Sequence, residues 1–148
     1  MTLDEEHRGA CHCGALRFVL RSALAVAALP ARACACGFCR RHAAISTSDP
    51  AGELRFVADD PAQVIRYRFG TGSAEFLVCG RCGVYVGALM VDGDRWYAIA
   101  NLNALEARAA LDPQPTRFDY AGEDDAARRA RRRARWTPAG PLASAAPA

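Results

Sequence analysis

The chain has 148 residues, of which 51% are hydrophobic, so it can form one ordinary globular domain without covalent cross-links. All 19 basic residues are Arg, which excludes Schiff-base chemistry and general-base chemistry by lysine. The net charge of +3 is local, because six arginines lie within residues 128–135. Residues 1–9 lack the apolar core of a secretory signal, and the apolar residues 23–28 are too few to span a bilayer. We therefore expect a soluble protein.

Short strands dominate the prediction along the chain. Leu16, Phe18 and Leu20 alternate with Arg17, Val19 and Arg21, which predicts a strand with one buried face over residues 15–21. An apolar run at 84–91 predicts a strand covered on both faces, and a turn at 92–94 joins it to the next strand. The remaining predicted strands, separated by turn-forming Asp, Pro and Gly, are 44–47, 54–58, 64–69, 74–79 and 95–101.

Helices are predicted at three places. One short turn is expected over 37–43, and a short helix over 104–111. Residues 123–135 begin with acids and end with arginines, as a helix dipole favours, and they contain the i,i+4 pairs Asp124–Arg128 and Asp125–Arg129.

The C-terminal part of the chain differs in composition from the rest. Residues 123–135 lack an apolar stripe, so we expect a solvated helix or a disordered tail, and residues 137–148 are rich in Pro and Ala, so we expect them to be disordered. The sequence thus predicts a domain over residues 5–122 and a tail over residues 123–148.

The seven cysteines fall into three clusters with the spacing of metal ligands. Sulfur atoms that meet at one point about 2.3 Å away can hold Zn²⁺, and tight turns between closely spaced cysteines achieve this. An odd number of cysteines without an export signal favours reduced thiols in the cytoplasm over disulfides. We expect zinc, with an iron–sulfur cluster as the alternative. The clusters are the first pair (Cys11, Cys13), the triplet (Cys34, Cys36, Cys39) and the second pair (Cys79, Cys82).

Spacing alone leaves the grouping of these clusters open. The simplest arrangement joins the two pairs into a closed four-sulfur site and leaves the triplet as a three-sulfur site that is one ligand short. A rival arrangement joins Cys36 and Cys39 to the second pair. The triplet could also be completed by His12 or His42, which would make it a second structural site.

The three clusters resemble the glutathione-dependent formaldehyde-activating enzyme family, also called the centromere protein V/Gfa family. The pattern of that family is C-x-C-G before a strand, then C-x-C-x-x-C-R, then C-x-x-C-G, with a Trp near the end. The matching segments are Cys11-His12-Cys13-Gly14, residues 34–40 (CACGFCR) and residues 79–83 (CGRCG), together with Trp136, and the resemblance covers residues 8–105. The Arg-rich stretch before Trp136 departs from the short ending of the family.

The resemblance implies a fold, two metal ions and an activity. The expected fold is mainly β, a tent-like arrangement of small antiparallel sheets stabilised by zinc. The implied activity is that of a carbon–sulfur lyase acting on a thiol–aldehyde adduct such as S-hydroxymethylglutathione, so small thiols, glutathione among them, are the expected partners. Two zinc ions per chain are implied, a structural one on Cys11, Cys13, Cys79 and Cys82 and a catalytic one on Cys34, Cys36 and Cys39.

Two roles for arginine follow from position. Arg40 and Arg41 stand beside the triplet, where a guanidinium can bind a substrate carboxylate or simply face solvent. The arginines of residues 128–135 suggest an alternative function, a zinc-stabilised binding module whose tail contacts nucleic acid. The rest of the chain shows no basic face interleaved with aromatic residues, so nucleic acid is not the expected partner.

Overall fold

The computed structural model describes residues 2–145, and it confirms the mainly β class. Within these residues twelve strands are hydrogen-bonded into one connected, open, mixed sheet, in which most neighbouring strands are antiparallel. The strands are β1 (Glu5–Ala10), β2 (Leu16–Ser22), β3 (Arg32–Cys34), β4 (Ser46–Thr47), β5 (Glu53–Ala58), β6 (Val64–Tyr67), β7 (Glu75–Cys79), β8 (Tyr85–Asp92), β9 (Arg95–Asn101), β10 (Thr116–Phe118), β11 (Thr137–Ala139) and β12 (Ala143–Ser144).

The described part of the chain has two α-helices and several short 3-10 turns. Helix α1 (Gly37–Arg41) lies between β3 and β4, and α2 (Asp125–Arg135) lies between β10 and β11. The helix expected at 104–111 is a pair of 3-10 segments instead. None of the helices within residues 2–145 is long and apolar enough to cross a membrane. The 3-10 segments are Val26–Ala28, Pro61–Gln63, Leu102–Ala104 and Glu106–Ala110.

The core forms where the predicted alternation places apolar side chains on one face. Phe18 of β2 lies opposite Phe56 of β5, and their ring centres are 6.1 Å apart in an edge-to-face arrangement. Every residue of β8 from Tyr85 to Met90 is buried, as the uninterrupted apolar run predicts. Strand β8 pairs with β9 through a tight turn in which Gly93 adopts φ +65°.

The polar N-terminal residues form a strand that the sequence did not indicate. Strand β1 pairs along its whole length with β2 and buries His7 and Gly9. A side chain at Gly9 would collide with Phe18, so the close approach of the two strands requires glycine there.

The predicted disorder after residue 136 is wrong for residues 137–145, and residues 146–148 lie outside the described part of the chain. Strand β11 fills the gap between β9 and β5, and β12 pairs with β5. Thr137 is fully buried there. The Pro- and Ala-rich composition predicted disorder. It could not indicate strands of only two or three residues, because their pairing depends on partners far away in the sequence.

Residues 123–135 contain the predicted helix, but only one of the two predicted ion pairs forms at its start. The carboxylate of Asp124 accepts a hydrogen bond of 2.8 Å from the backbone N–H of Ala127, so it caps α2 and does not pair with Arg128. The predicted Asp125–Arg129 ion pair is present at 2.9 Å.

Candidate metal centre and its cavity

The first and second cysteine pairs meet at one end of the sheet. Cys11 and Cys13 follow β1, while Cys79 and Cys82 lie in the turn between β7 and β8. The sulfur of Cys13 lies 3.7 Å from the sulfurs of both Cys11 and Cys79, and all four sulfurs lie within 4.8 Å of one another. A tetrahedral ion with bonds of about 2.3 Å requires sulfurs about 3.8 Å apart. The four-cysteine group therefore has the dimensions of a closed zinc site.

Backbone amides surround this four-cysteine group. The N–H of Leu16 donates to the sulfur of Cys11 at 3.3 Å, and the N–H of Arg81 donates to Cys79 at 3.4 Å. Gly83 adopts φ +80°, which a side chain would oppose, and this lets the turn close around the sulfurs. Burial raises the pKa of Cys11 to about 11. A thiolate at Cys11 thus needs a cation, in keeping with a metal ligand.

The triplet forms a separate group around helix α1. Cys34 ends β3, Cys36 precedes the first helical residue, and Cys39 lies within the helix. The sulfur of Cys36 accepts the N–H of Cys39 at 3.4 Å, and the sulfur of Cys34 accepts the N–H of Cys36 at the same distance. All three sulfurs lie within 4.8 Å of one another, so one metal ion can contact all of them.

The chemistry of these three thiols also fits a divalent cation. Hydrogen bonds from Cys34 and Cys39 lower the pKa of Cys36, whereas hydrogen bonding to Cys34 and Cys36, together with burial, raises the pKa of Cys39. One thiolate in the group therefore opposes ionisation of its neighbours. A soft or borderline cation such as Zn²⁺ offsets this repulsion.

The structure forms the grouping of two pairs and a separate triplet, and it does not form the rival grouping of Cys36 and Cys39 with the second pair. In residues 2–145, no His, Asp or Glu joins the three-cysteine group. His12 is exposed, and the ring of His42 packs 4.5 Å from that of Phe38. The described residues thus offer three candidate ligands here, one fewer than a closed tetrahedral site has.

A cavity of about 300 Å³ adjoins the three-cysteine group, and Cys34, Cys36 and Cys39 line it. Its walls are mostly apolar and come from strands distant in sequence. The large apolar side chains in the wall are those of Phe69, Phe76, Ile99 and Trp136. Such a cavity is at the lower end of the range typical of small-molecule sites.

Four arginines line the same cavity, and three of them belong to the Arg-rich segment for which the sequence suggested a nucleic-acid contact instead. Arg32 comes from β3, and Arg128, Arg131 and Arg132 come from α2. The i,i+4 spacing of Arg128 and Arg132 was a signal that both share one face of α2, and Trp136 follows as the C-cap residue. Arg40 and Arg41, which were predicted as carboxylate-binding candidates, are exposed and are not part of the cavity wall.

Comparison with known proteins places these features in a family. The family described as glutathione-dependent formaldehyde-activating enzyme matches residues 6–119, which include all seven cysteines. A crystal structure of a Rhodobacter sphaeroides protein, a structural-genomics target, is similar to the chain with a TM-score of 0.57 and 29% identity. That similarity covers 75% of this chain and 99% of the other. Helix α2 lies beyond the residues that match the family. The chain belongs to the glutathione-dependent formaldehyde-activating enzyme family.

Proposed function

We propose that the protein is a zinc enzyme of the carbon–sulfur lyase type, which forms or cleaves the bond between a thiol and an aldehyde, with S-hydroxymethylglutathione as the reference adduct. The observation that carries the proposal is the three-cysteine group beside a cavity, with no fourth ligand from residues 2–145. Membership of the family supports the same class of reaction.

The two cysteine groups would divide their roles in this enzyme. Cys34, Cys36 and Cys39 would hold the catalytic zinc, and the four-cysteine group would hold a structural zinc. A zinc ion bound by the triplet would lower the pKa of a thiol that enters the cavity.

The protein's own residues position the reactants and exclude water. In the synthetic direction the thiol sulfur bonds to the aldehyde carbon, and the carbonyl oxygen takes up the proton that the thiol loses. Cleavage is the reverse of this reaction. Phe69, Phe76 and Trp136 cover the cavity with apolar surface, so they limit competition by water for the thiolate and for the aldehyde.

Both cysteine groups require thiolates, and oxidation to disulfides would remove the ligands. We therefore propose that the protein works in a reducing compartment such as the cytoplasm.

The alternative of a nucleic-acid-binding tail receives no support from the contacts of α2. Arg129 and Arg133 pair with Asp92 at 3.2 and 2.8 Å, and Arg131 pairs with Glu123 at 2.8 Å. Arg132 is buried. These arginines bind the protein's own acids or its core, so we do not propose a nucleic-acid function.

Metal analysis combined with exchange spectroscopy tests the proposed enzyme. We expect two zinc ions per chain and faster exchange between ¹³C-formaldehyde and its glutathione adduct, measured by NMR against the uncatalysed exchange. Arg40→Gln is the matched surface control, and it should keep the rate because Arg40 lies outside the cavity wall. A protein with two zinc ions that accelerates exchange with neither glutathione nor other thiols would disprove the proposal.

A further inference from the structure

Arg132 is a buried cation without an acidic partner. The residue is 7% exposed and lines the cavity beside the three-cysteine group. One terminal nitrogen donates to the hydroxyl of Ser73 at 2.8 Å, while Nε is buried and has no hydrogen-bond partner in residues 2–145. No carboxylate of the described residues forms an ion pair with it. Burial of a charge in this state is costly unless something else in the cavity compensates for it.

Arg32, which is half-buried and lies in another part of the cavity wall, also lacks an acidic partner among the described residues. It extends from β3, and within residues 2–145 its side chain donates one hydrogen bond, of 2.5 Å, to the hydroxyl of Ser48. It too forms no ion pair within the described part of the chain. Burial lowers the pKa of Arg132 to about 10. Both guanidinium groups have thus lost hydration without gaining an ion pair to a carboxylate of the described residues.

The other two arginines of the wall, unlike Arg132 and Arg32, form ion pairs with a carboxylate. Arg128 and Arg131 both donate to the carboxylate of Glu123, at 3.3 and 2.8 Å. The four guanidinium groups exceed the carboxylates of Asp119 and Glu123 by two charges, and a zinc ion on three thiolates, with a net charge of −1, would leave an excess of one. The cavity therefore has an excess of positive charge that a bound anion would balance.

Packing holds the guanidinium of Arg132 in position. It lies 4.7 Å from the centre of the Trp136 ring, and that ring is itself buried. A cation stacked on an aromatic face keeps its N–H groups in the plane of the guanidinium, available at its edge for a planar acceptor. Carboxylates match this planar geometry.

We propose that Arg132 and Arg32 form a carboxylate-binding subsite of the cavity, so that the thiol substrate is one that carries a carboxylate. The subsite would bind the carboxylate while the thiol sulfur lies at the three-cysteine group, and this reading of the substrate rests on the proposed function. Arg132 comes from α2, which lies outside the residues that match the family.

Calorimetric titration of the metal-loaded protein tests the subsite with three small probes. They are 3-mercaptopropionate, its uncharged amide 3-mercaptopropionamide, and 3-(methylthio)propionate, which keeps the carboxylate but has no ionisable thiol. We expect 3-mercaptopropionate to bind at least about tenfold more tightly than the amide, because charge-assisted hydrogen bonds are the stronger ones. We also expect measurable binding of the methylthio acid.

Variants test whether Arg132 and Arg32 cause the tighter binding of 3-mercaptopropionate relative to its amide. Arg132→Gln and Arg32→Gln should each reduce the ratio of the two thiol affinities towards one. Arg133→Gln is the matched control on the same helix, since Arg133 is exposed and pairs with Asp92, and it should keep the ratio. If Arg132→Gln fails to fold, Arg32→Gln and Arg132→Lys carry the test, because lysine keeps the charge but lacks the planar fork.

The outcomes separate this subsite from the proposed enzyme. Equal affinity for the acid and amide thiols, or an unchanged ratio in folded Arg132 and Arg32 variants, would overturn the subsite and leave the lyase proposal intact. Binding of the methylthio acid that depends on Arg132, in a protein without formaldehyde exchange activity, would support the subsite and refute the lyase.

Discussion

The backbone N–H of Asp49 donates a hydrogen bond of 2.8 Å to the hydroxyl of Thr137, and both residues are buried. The carboxylate of Asp49 in turn accepts a hydrogen bond of 2.5 Å from the hydroxyl of Ser22 at the end of β2. This chain of bonds connects the loop after β4 to the start of β11, 88 residues further along. The C-terminal strands therefore belong to the same core as β2 and β9.

Substitution of Thr137 should show how much the Asp49–Thr137 hydrogen bond contributes to the free energy of unfolding. Thr137→Val keeps the branched shape and the strand preference but leaves the buried N–H of Asp49 without an acceptor. We expect the free energy of unfolding to fall by about 1–3 kcal/mol, measured by chemical denaturation. Thr116→Val, at an exposed position of β10, is the control and should change it by less than about 0.5 kcal/mol. An equal effect at both positions would mean that the Asp49–Thr137 bond is not important for stability.

The two cysteine groups should respond differently to the same substitution. Cys36→Ser should remove one zinc ion per chain and the thiol-dependent activity while the protein stays folded. Cys79→Ser should unfold the protein, because a closed zinc site contributes to folding, by about 10–16 kcal/mol in small zinc peptides. Zinc content by mass spectrometry and circular dichroism would measure both effects. Equal loss of structure in the two variants would contradict separate structural and catalytic roles.

Local sequence was enough to predict the close approach of cysteines within each cluster and most of the long strands. Cys36 and Cys39 come together because one helical turn spans them, and Cys79 and Cys82 because a glycine turn joins two strands. These geometries depend on neighbours within a few residues. The alternation in β2 and the apolar run in β8 are equally local signals.

The cavity wall could not be predicted in the same way. Arg132 is buried because its guanidinium packs on Trp136 and bonds to Ser73, and nothing in residues 123–135 forms the apolar stripe that usually indicates a docked helix. Strand β11 likewise exists because β5 and β9 leave a gap of one strand between them. Contacts between segments that are distant in the sequence cannot be predicted from local composition.

Tyr85 provides a test of a buried polar group near the three-cysteine group. Its ring packs among Phe38 and Phe76, and its hydroxyl has no hydrogen-bond partner in residues 2–145. Burial raises the pKa of Tyr85 well above its ordinary value, so the hydroxyl stays protonated. Tyr85→Phe should therefore leave the free energy of unfolding unchanged or raise it by about 1–3 kcal/mol.

The matched control for this substitution is Tyr67→Phe, since Tyr67 belongs to the same aromatic cluster but is 49% exposed. It should have an effect below about 0.5 kcal/mol. Chemical denaturation of the metal-loaded proteins measures the effect of each substitution on the free energy of unfolding. Destabilisation by Tyr85→Phe of more than about 1 kcal/mol would show that the hydroxyl has a partner in the loaded protein.

Glu123 should make the stability of the protein depend on pH through its ion pairs with α2. Hydrogen bonds from Arg131 and Arg128 lower the pKa of Glu123 below its ordinary value of 4.5 in the folded protein. A group with a lowered folded pKa adds stability above its unfolded pKa, and this contribution disappears as the pH falls through the folded pKa. Wild type should thus exceed Glu123→Gln in melting temperature above pH 4.5 by about 2–4 °C, the shift expected for about 1 kcal/mol.

The difference between the two melting temperatures should shrink as the pH is lowered below 4.5, as differential scanning calorimetry can measure. Acid also releases metal from thiolates, but this affects both proteins alike and so leaves the difference interpretable. Glu5→Gln, at an exposed position of β1, should show no such pH-dependent difference from wild type. If the Glu123→Gln difference stayed constant down to pH 3, the carboxylate would not be the source of the stabilisation. The arginines of α2 would then be held by packing on Tyr120 and Trp136, where Arg131 and Arg132 lie 3.5 and 4.7 Å from the ring centres.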